Sequence, residues 1–212
     1  MAADMHAMFS LWQAQQPLVL ASGSASRAKI LREARLPFET LSPEVDERAL
    51  EEAVASGADR PSRIAAALAR EKALEVSRRL PGRLVLGGDQ LLALDDDIIH
   101  KASDLTAAHA TLRRLSGHTH HLHCAACFVD DGKVAFETLS TARMTMHALS
   151  DDFITRYLET VGEDVLGSVG CYHIEGAGVH LFDRIAGDHW TIRGLPLLPL
   201  LAFLRESGYL CR

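Results

Sequence analysis

LVLASGSASRAKIL, residues 18–31, decides the architecture. Leu18 to Ala21 is a short apolar run of the kind found in strands buried on both faces. Ser22, Gly23, Ser24, Ala25 and Ser26 break it. Ser24 or a neighbour is placed to cap a helix from about Ala25 to Ala34, with Ile30 and Leu31 facing inward. A buried strand running straight into a helix is how an α/β fold opens. The junction also suits an anion. A helix start presents free N–H groups and a positive dipole end. Ser22 and Ser24 add hydroxyls, and Arg27 carries a fork that matches phosphate oxygens. A capped helix with a surface arginine accounts for the same residues. Neither a Walker G-x-x-x-x-G-K-S/T nor a Rossmann G-x-G-x-x-G follows this strand.

LVLGGDQLLAL, residues 84–94, poses the second question. A strand over Arg83 to Leu86 is broken by Gly87, Gly88 and Asp89 and continues over Gln90 to Leu94. Glycines let backbone and ligand approach closely, and strand ends are where catalytic groups sit in α/β proteins. A carboxylate inside an apolar run is costly without a partner. A metal ion, an attacking water or a cation supplies one; a turn Asp accepting backbone hydrogen bonds is the alternative. Lys72 on a long helix, Lys101 after the next turn, and Asp46 and Glu47 in an acidic loop are further candidates, each equally at home on a solvated surface.

The remaining pattern is α/β with a mixed sheet. A short strand is expected at Phe38 to Leu41, and a helix from Pro61 to about Leu80. Another helix runs from Asp104 to Leu115. A hairpin of His118 to Val129 and Lys133 to His147 turns at Asp130, Asp131 and Gly132. Ser150 caps a helix to about Val161. A strand near Val179 to Ile185 and a helix from Pro196 to Glu206, closed by Gly208, complete the chain. Cys124 and Cys127 form C-x-x-C on a strand, which puts them on opposite faces, and no second pair exists to complete a zinc site. His118, His120, His121 and His123 read as a polar strand surface. Residues 1–16 read as a frayed extension without a signal peptide, and residues 17–212 as one domain.

Composition narrows function. The chain has 212 residues, 48% of them hydrophobic, enough for a core. Its net charge of −6 and 6% aromatics argue against nucleic-acid binding, which favours basic surfaces and stacking platforms. No run approaches the roughly 20 apolar residues of a membrane span. A cytoplasmic protein is expected.

Taken in order, ASGSAS with Arg27, PEVDE, the helical EKA, GGDQ, Lys101, LRRLSGHTHHLH, IEGAG and GLPL resemble the Maf family of nucleotide pyrophosphatases from about Leu18 to Gly208. The resemblance implies an α/β fold with a bent mixed sheet around a deep cleft, similar to the inosine-triphosphate pyrophosphatases. It implies cleavage of a nucleoside triphosphate to the monophosphate and pyrophosphate, with a divalent cation (Mg, Mn or Co) as cofactor and a homodimer as one form. It matches Asp89 to the general base, and Arg27, Lys72 and Lys101 to phosphate-binding cations. Ser22 and Ser24 match the first-loop serines, and Glu47 joins Asp89 as an acidic metal ligand. The chain departs from the family pattern at Ala25, Ser26, His100, Ala102 and Ser168.

Base preference in the family follows three positions, here Ser26, Gln90 and Glu175. The dTTP/UTP branch carries Arg, Thr and Gln there, and the 7-methyl-GTP branch Trp, Gln and Glu. Two of the three match the second branch. A carboxylate only accepts, which suits the adjacent N1–H and N2–H₂ of guanine. The expectation is therefore 7-methyl-GTP, with dTTP and UTP as the alternative. The family is also linked to septum inhibition, so a nucleotide-binding regulator without turnover is a different class of answer. A carboxylate beside the phosphates argues against it.

Overall fold

The computed structural model describes residues 11–57 and 59–211. Its sheet has seven strands: β1 (Leu18–Ala21), β2 (Phe38–Thr40), β3 (Leu84–Leu94), β4 (Asp97–Ile99), β5 (Thr119–Asp130), β6 (Lys133–Met146) and β7 (Phe182–Ala186). The order is β2-β1-β3-β5-β6-β7, with β4 attached to β3. β1 runs parallel to β2 and β3; all other pairings are antiparallel. The sheet is mixed because of the β5–β6 hairpin. Its turn places Asp131 and Gly132 at φ 46° and 76°, the left-handed pair that a two-residue hairpin favours.

The helices are α1 (Ala25–Glu33), α2 (Glu47–Ala53), α3 (Arg60–Arg79), α4 (Leu105–Leu115), α5 (Asp151–Val161), α6 (His189–Arg193) and α7 (Leu197–Glu206). Two 3₁₀ turns lie at Gly162–Gly167 and Ala177–Leu181. Alternation along the strands sorts the core. Val19, Ala21, Val85, Ala125, Cys127 and Val129 face α3, which contributes Ile64, Leu68, Ala69, Ala73 and Val76. Leu18, Leu20, Leu84, Leu86 and Phe128 face the other way, against Ile30 and Leu31 of α1 and Leu200 and Leu204 of α7. A third cluster joins the far half of β3, β5 and β6 to α4 and α5.

The helices that follow β1 and β2 thus lie on opposite faces, which makes the end of β1 a topological switch point. β1 ends at Ala21, opposite Gly87, and β4 pairs with β3 only from Leu92. Between those limits β3 has β5 on one edge and, among the described residues, no strand on the other.

Several boundaries differ from the sequence reading. β3 is continuous through Gly87–Gly88–Asp89, so the glycines do not break it and Asp89 is not in a turn. The acidic segment from Glu44 forms α2, with Asp46 as its cap accepting from Ala49 N at 3.0 Å. The last strand starts at Phe182; Val179 lies in a 3₁₀ turn. His120 is fully buried and bonds Tyr172 Oη at 2.8 Å, unlike its neighbours His121 and His123, which stack on the polar face. Residues 1–10 of the expected extension lie outside the described residues. Its end is not frayed, because Trp12 bridges Leu210 and Gln13 N donates to Tyr209 O. Among the described residues no helix is long and apolar enough to cross a membrane.

Candidate active site

The unpaired stretch of β3 carries the site, and period-two alternation divides its residues between two faces. Gly87 and Asp89 point to α3; Gly88 and Gln90 point to α1 and α6. Each glycine marks a close approach. A Cβ on Gly87 would lie 2.1 Å from Ala69 O and 2.8 Å from Ala73 N, so only glycine lets α3 sit directly on the strand. A Cβ on Gly88 would lie 3.2 Å from Arg27 Nε, where the arginine stem crosses the sheet.

That contact with α3 brings Lys72 to Asp89. Lys72 Nζ donates to Asp89 Oδ1 at 2.7 Å and lies 2.7 Å from Glu47 Oε1 in the first turn of α2. The Lys72 and Asp89 side chains are 8% and 9% exposed, whereas Glu47 is 58% exposed. The buried carboxylate therefore has the cation its burial demands. Of the two acidic candidates in the loop, Asp46 caps a helix and Glu47 reaches the site.

On the other face, the first-loop hydroxyls hold one another and Arg27. Ser22 Oγ accepts from Ser24 N and from Arg27 Nη1, both at 3.1 Å. Ser24 Oγ caps α1 by accepting from Arg27 N at 3.4 Å. Arg27 Nε donates to Gly194 O at 2.9 Å. Ser22, Ser24, Arg27, Glu47, Lys72 and Asp89 line one cavity of about 600 Å³, together with Lys101. Lys101 is exposed and has no hydrogen bond or ion pair among the described residues.

The three expected specificity positions converge on a second, smaller compartment of about 80 Å³ that shares Ser24, Arg27, Gln90 and Lys101 with the first. Ser26 Oγ donates to Arg193 O at 2.6 Å. Gln90 Nε2 donates to Thr191 O at 2.8 Å and Ile192 O at 3.1 Å. Glu175 Oε1 lies 3.4 Å from Arg193 Nε and 3.9 Å from Lys29 Nζ. Arg193, which the sequence reading missed, is 7% exposed and also reaches Glu33 at 2.7 Å. Its guanidinium holds the Glu33 carboxyl below the usual range, chiefly through that hydrogen bond. The signal was there to read: a charge inside the apolar WTIRGLPLL, as with Asp89.

Metal chemistry needs a donor set. Among the described residues no three His, Cys, Asp or Glu side chains cluster as ligands. Glu47 and Asp89 both reach Lys72 Nζ at 2.7 Å, so a divalent cation held by them would lie beside that ammonium; two carboxylates completed by substrate phosphate oxygens are a usual setting for Mg²⁺. The cysteines offer nothing comparable. Cys124 and Cys127 are buried on opposite faces, and burial pushes both thiols up to about 12.

The profile of the family described as Maf-like protein matches residues 17–207. A nucleoside triphosphate pyrophosphatase of Rhodopseudomonas palustris is 51% identical over 201 residues, covering 95% of this chain and 98% of the relative. One of Nitrobacter winogradskyi is 50% identical with the same coverage. A 7-methyl-GTP pyrophosphatase of Rhizobium johnstonii is 47% identical over 191 residues, covering 90% and 96%. With a matched profile spanning β1 to the end of α7, this chain belongs to the Maf family.

Proposed function

We propose that the protein hydrolyses a nucleoside triphosphate to the monophosphate and pyrophosphate, with Asp89 as the general base. The observation that carries this reading is the meeting of Asp89, Lys72, Glu47, Arg27 and the Ser22–Ser24 loop on one cavity at the open edge of the sheet. The names of the relatives support it. A triphosphate carries about four negative charges, which Arg27, Lys72 and Lys101 offset in a site partly screened from water.

In this reading the triphosphate lies along the loop, with the α phosphorus facing Asp89. Asp89 accepts the proton of a water that attacks the α phosphorus; the bond to the bridging oxygen breaks and pyrophosphate departs. Lys72 orients the Asp89 carboxylate by donating to Oδ1. Glu47 and Asp89 would hold a divalent cation (Mg, Mn or Co), which when bound supplies charge neutralisation and a water of lowered pKa. Asp89→Asn retains shape but removes the base. Its turnover is expected to fall by about 10²-fold or more, with nucleotide binding retained. Near-normal turnover of the purified variant would falsify the role of Asp89.

The finer reading is a preference for 7-methyl-GTP over dTTP and UTP, through Glu175 accepting from the guanine N1–H and N2–H₂. One relative of that name supports it. Ser26 supplies no stacking surface, since its hydroxyl is committed to Arg193 O, so discrimination is modest. A screen of ordinary and modified triphosphates, read by pyrophosphate release, decides; best turnover of dTTP or UTP rejects the preference.

A further inference from the structure

Arg193 is a buried cation whose position neither fold nor phosphate chemistry explains. Its side chain is 7% exposed, and its Nε is buried with no hydrogen-bond acceptor, although Glu175 Oε1 is 3.4 Å away. An unmet buried donor costs the full desolvation of that group. Its place is the small compartment shared with Ser26, Gln90 and Glu175. The compartment measures about 80 Å³, well below the range of ligand pockets. Residues 167–169, Glu175 and residues 192–194 line it together, and it adjoins the larger cavity through Ser24, Arg27, Gln90 and Lys101. There an anionic acceptor, Glu175, stands beside a donor that lacks one, Arg193 Nε.

We infer that Arg193 is a specificity residue of the base compartment: its Nε–H donates to a base carbonyl while Glu175 accepts from the adjacent ring N–H. The pair is complementary to a lactam edge, a C=O beside an N–H, as in guanine, hypoxanthine, uracil and thymine. Adenine and cytosine present the reverse order, an amino donor beside a ring acceptor. They would place donor against donor at Arg193 and acceptor against acceptor at Glu175. Polar mismatch of this kind discriminates far more sharply than shape. The inference rests on the proposed nucleotide site and names the base class that site takes. Lys29 and Arg193 also offset the charge of Glu175, so hydrogen-bond order rather than base charge dominates selection.

The test is binding, measured apart from turnover, with α,β-methylene analogues of GTP, UTP, ATP and CTP titrated calorimetrically into the full chain. The wild type is expected to bind the guanine and uracil analogues at least tenfold more tightly than the adenine and cytosine ones. Arg193→Met should narrow that ratio to within about threefold. Arg193→Lys keeps the charge beside Glu33 and Glu175 but removes the Nε donor. It should narrow the ratio too, while its melting temperature stays near wild type. Glu33→Gln, which breaks only the outer ion pair, should leave the ratio unchanged. Equal binding of all four analogues by the wild type, binding of none, or an unchanged ratio in a folded Arg193→Lys overturns the inference. Selective binding without turnover of the matching triphosphates supports the inference and rejects the hydrolytic reading; normal turnover with an unchanged ratio does the reverse.

Discussion

Gly87 and Gly88 are neighbours with separate jobs, and alanine tells them apart. At Gly87 the added Cβ meets helix backbone, which cannot yield cheaply. Gly87→Ala should destabilise the fold by about 3 kcal/mol, the upper range of overpacking, seen as a lowered urea midpoint. At Gly88 the Cβ meets only the Arg27 side chain closely, at Nε and Cδ, with no backbone atom nearer than 3.6 Å. Gly88→Ala should leave the midpoint near wild type yet raise KM roughly tenfold or more by displacing Arg27, the cation proposed to bind phosphate. The reverse assignment of effects would refute the division of roles. Asp89 was legible in the sequence because a charge in an apolar run demands a partner, but the partner was not, since Lys72 becomes special only through the close approach at Gly87. Ser22, Ser24 and Ser26 were legible as a polar junction. That Ser26 turns to Arg193 O while Ser22 and Ser24 hold their own loop depends on α6, which is far away in sequence. Arg193 obeys the same rule as Asp89 and went unread in an apolar run that announced a helix.

Helix α6 shows how a short element is held. Five residues do not sustain a helix alone. Asp188 caps it by accepting from Trp190 N and Thr191 N, and Gly194 closes it at φ 108°. Its carbonyls are then taken by Gln90, Ser26 and Arg27, the side chains that line the two compartments. Gln90→Ala should cost about 1 kcal/mol, the ordinary worth of a hydrogen bond. It should also raise amide exchange selectively across residues 189–195. Exchange unchanged there would mean α6 is fixed without Gln90. Periodicity made α1, α3, α4, α5 and α7 legible, because each presents an apolar stripe long enough to count. α6 lacks that length. The continuity of β3 was hidden for another reason: paired glycines read as a break, and only a helix resting on them turns them into strand. The 3₁₀ turn at Ala177–Leu181 was taken for strand because its apolar residues carry no period of their own.

At the scale of the whole molecule, the far core carries a titrating group. His120 is completely buried; desolvation, aided by His121, pulls it down to about 4, and its Nδ1 has no partner. A histidine depressed in the native state is protonated first in the unfolded chain. Stability is therefore full above the ordinary value of about 6.5 and is lost as pH falls toward 4. The difference corresponds to about 3 kcal/mol. Urea midpoints are expected to drop steeply between pH 6.5 and 4, and His120→Gln should flatten that drop. An equal slope in the variant would place the titration elsewhere. The mixed α/β class was legible from alternating elements and one long hairpin. Strand order was not, because the pairing of β3 with both β1 and β5 is fixed by contacts remote in sequence.

The alternation of β3 also limits how this chain can lengthen. One residue inserted before Asp89 would swing the carboxylate away from Lys72, set Gly88 in its place and turn Gln90 to the α3 face. No residue would be lost, yet the carboxylate and the amide would have traded faces. A glycine inserted between Leu86 and Gly87 is thus expected to abolish turnover. One inserted after Asp96, at the outer turn leading to β4, should be tolerated. The protein counts residues here as strictly as it selects them, so gaps in an alignment of descendants should fall at that turn and stop short of the strand.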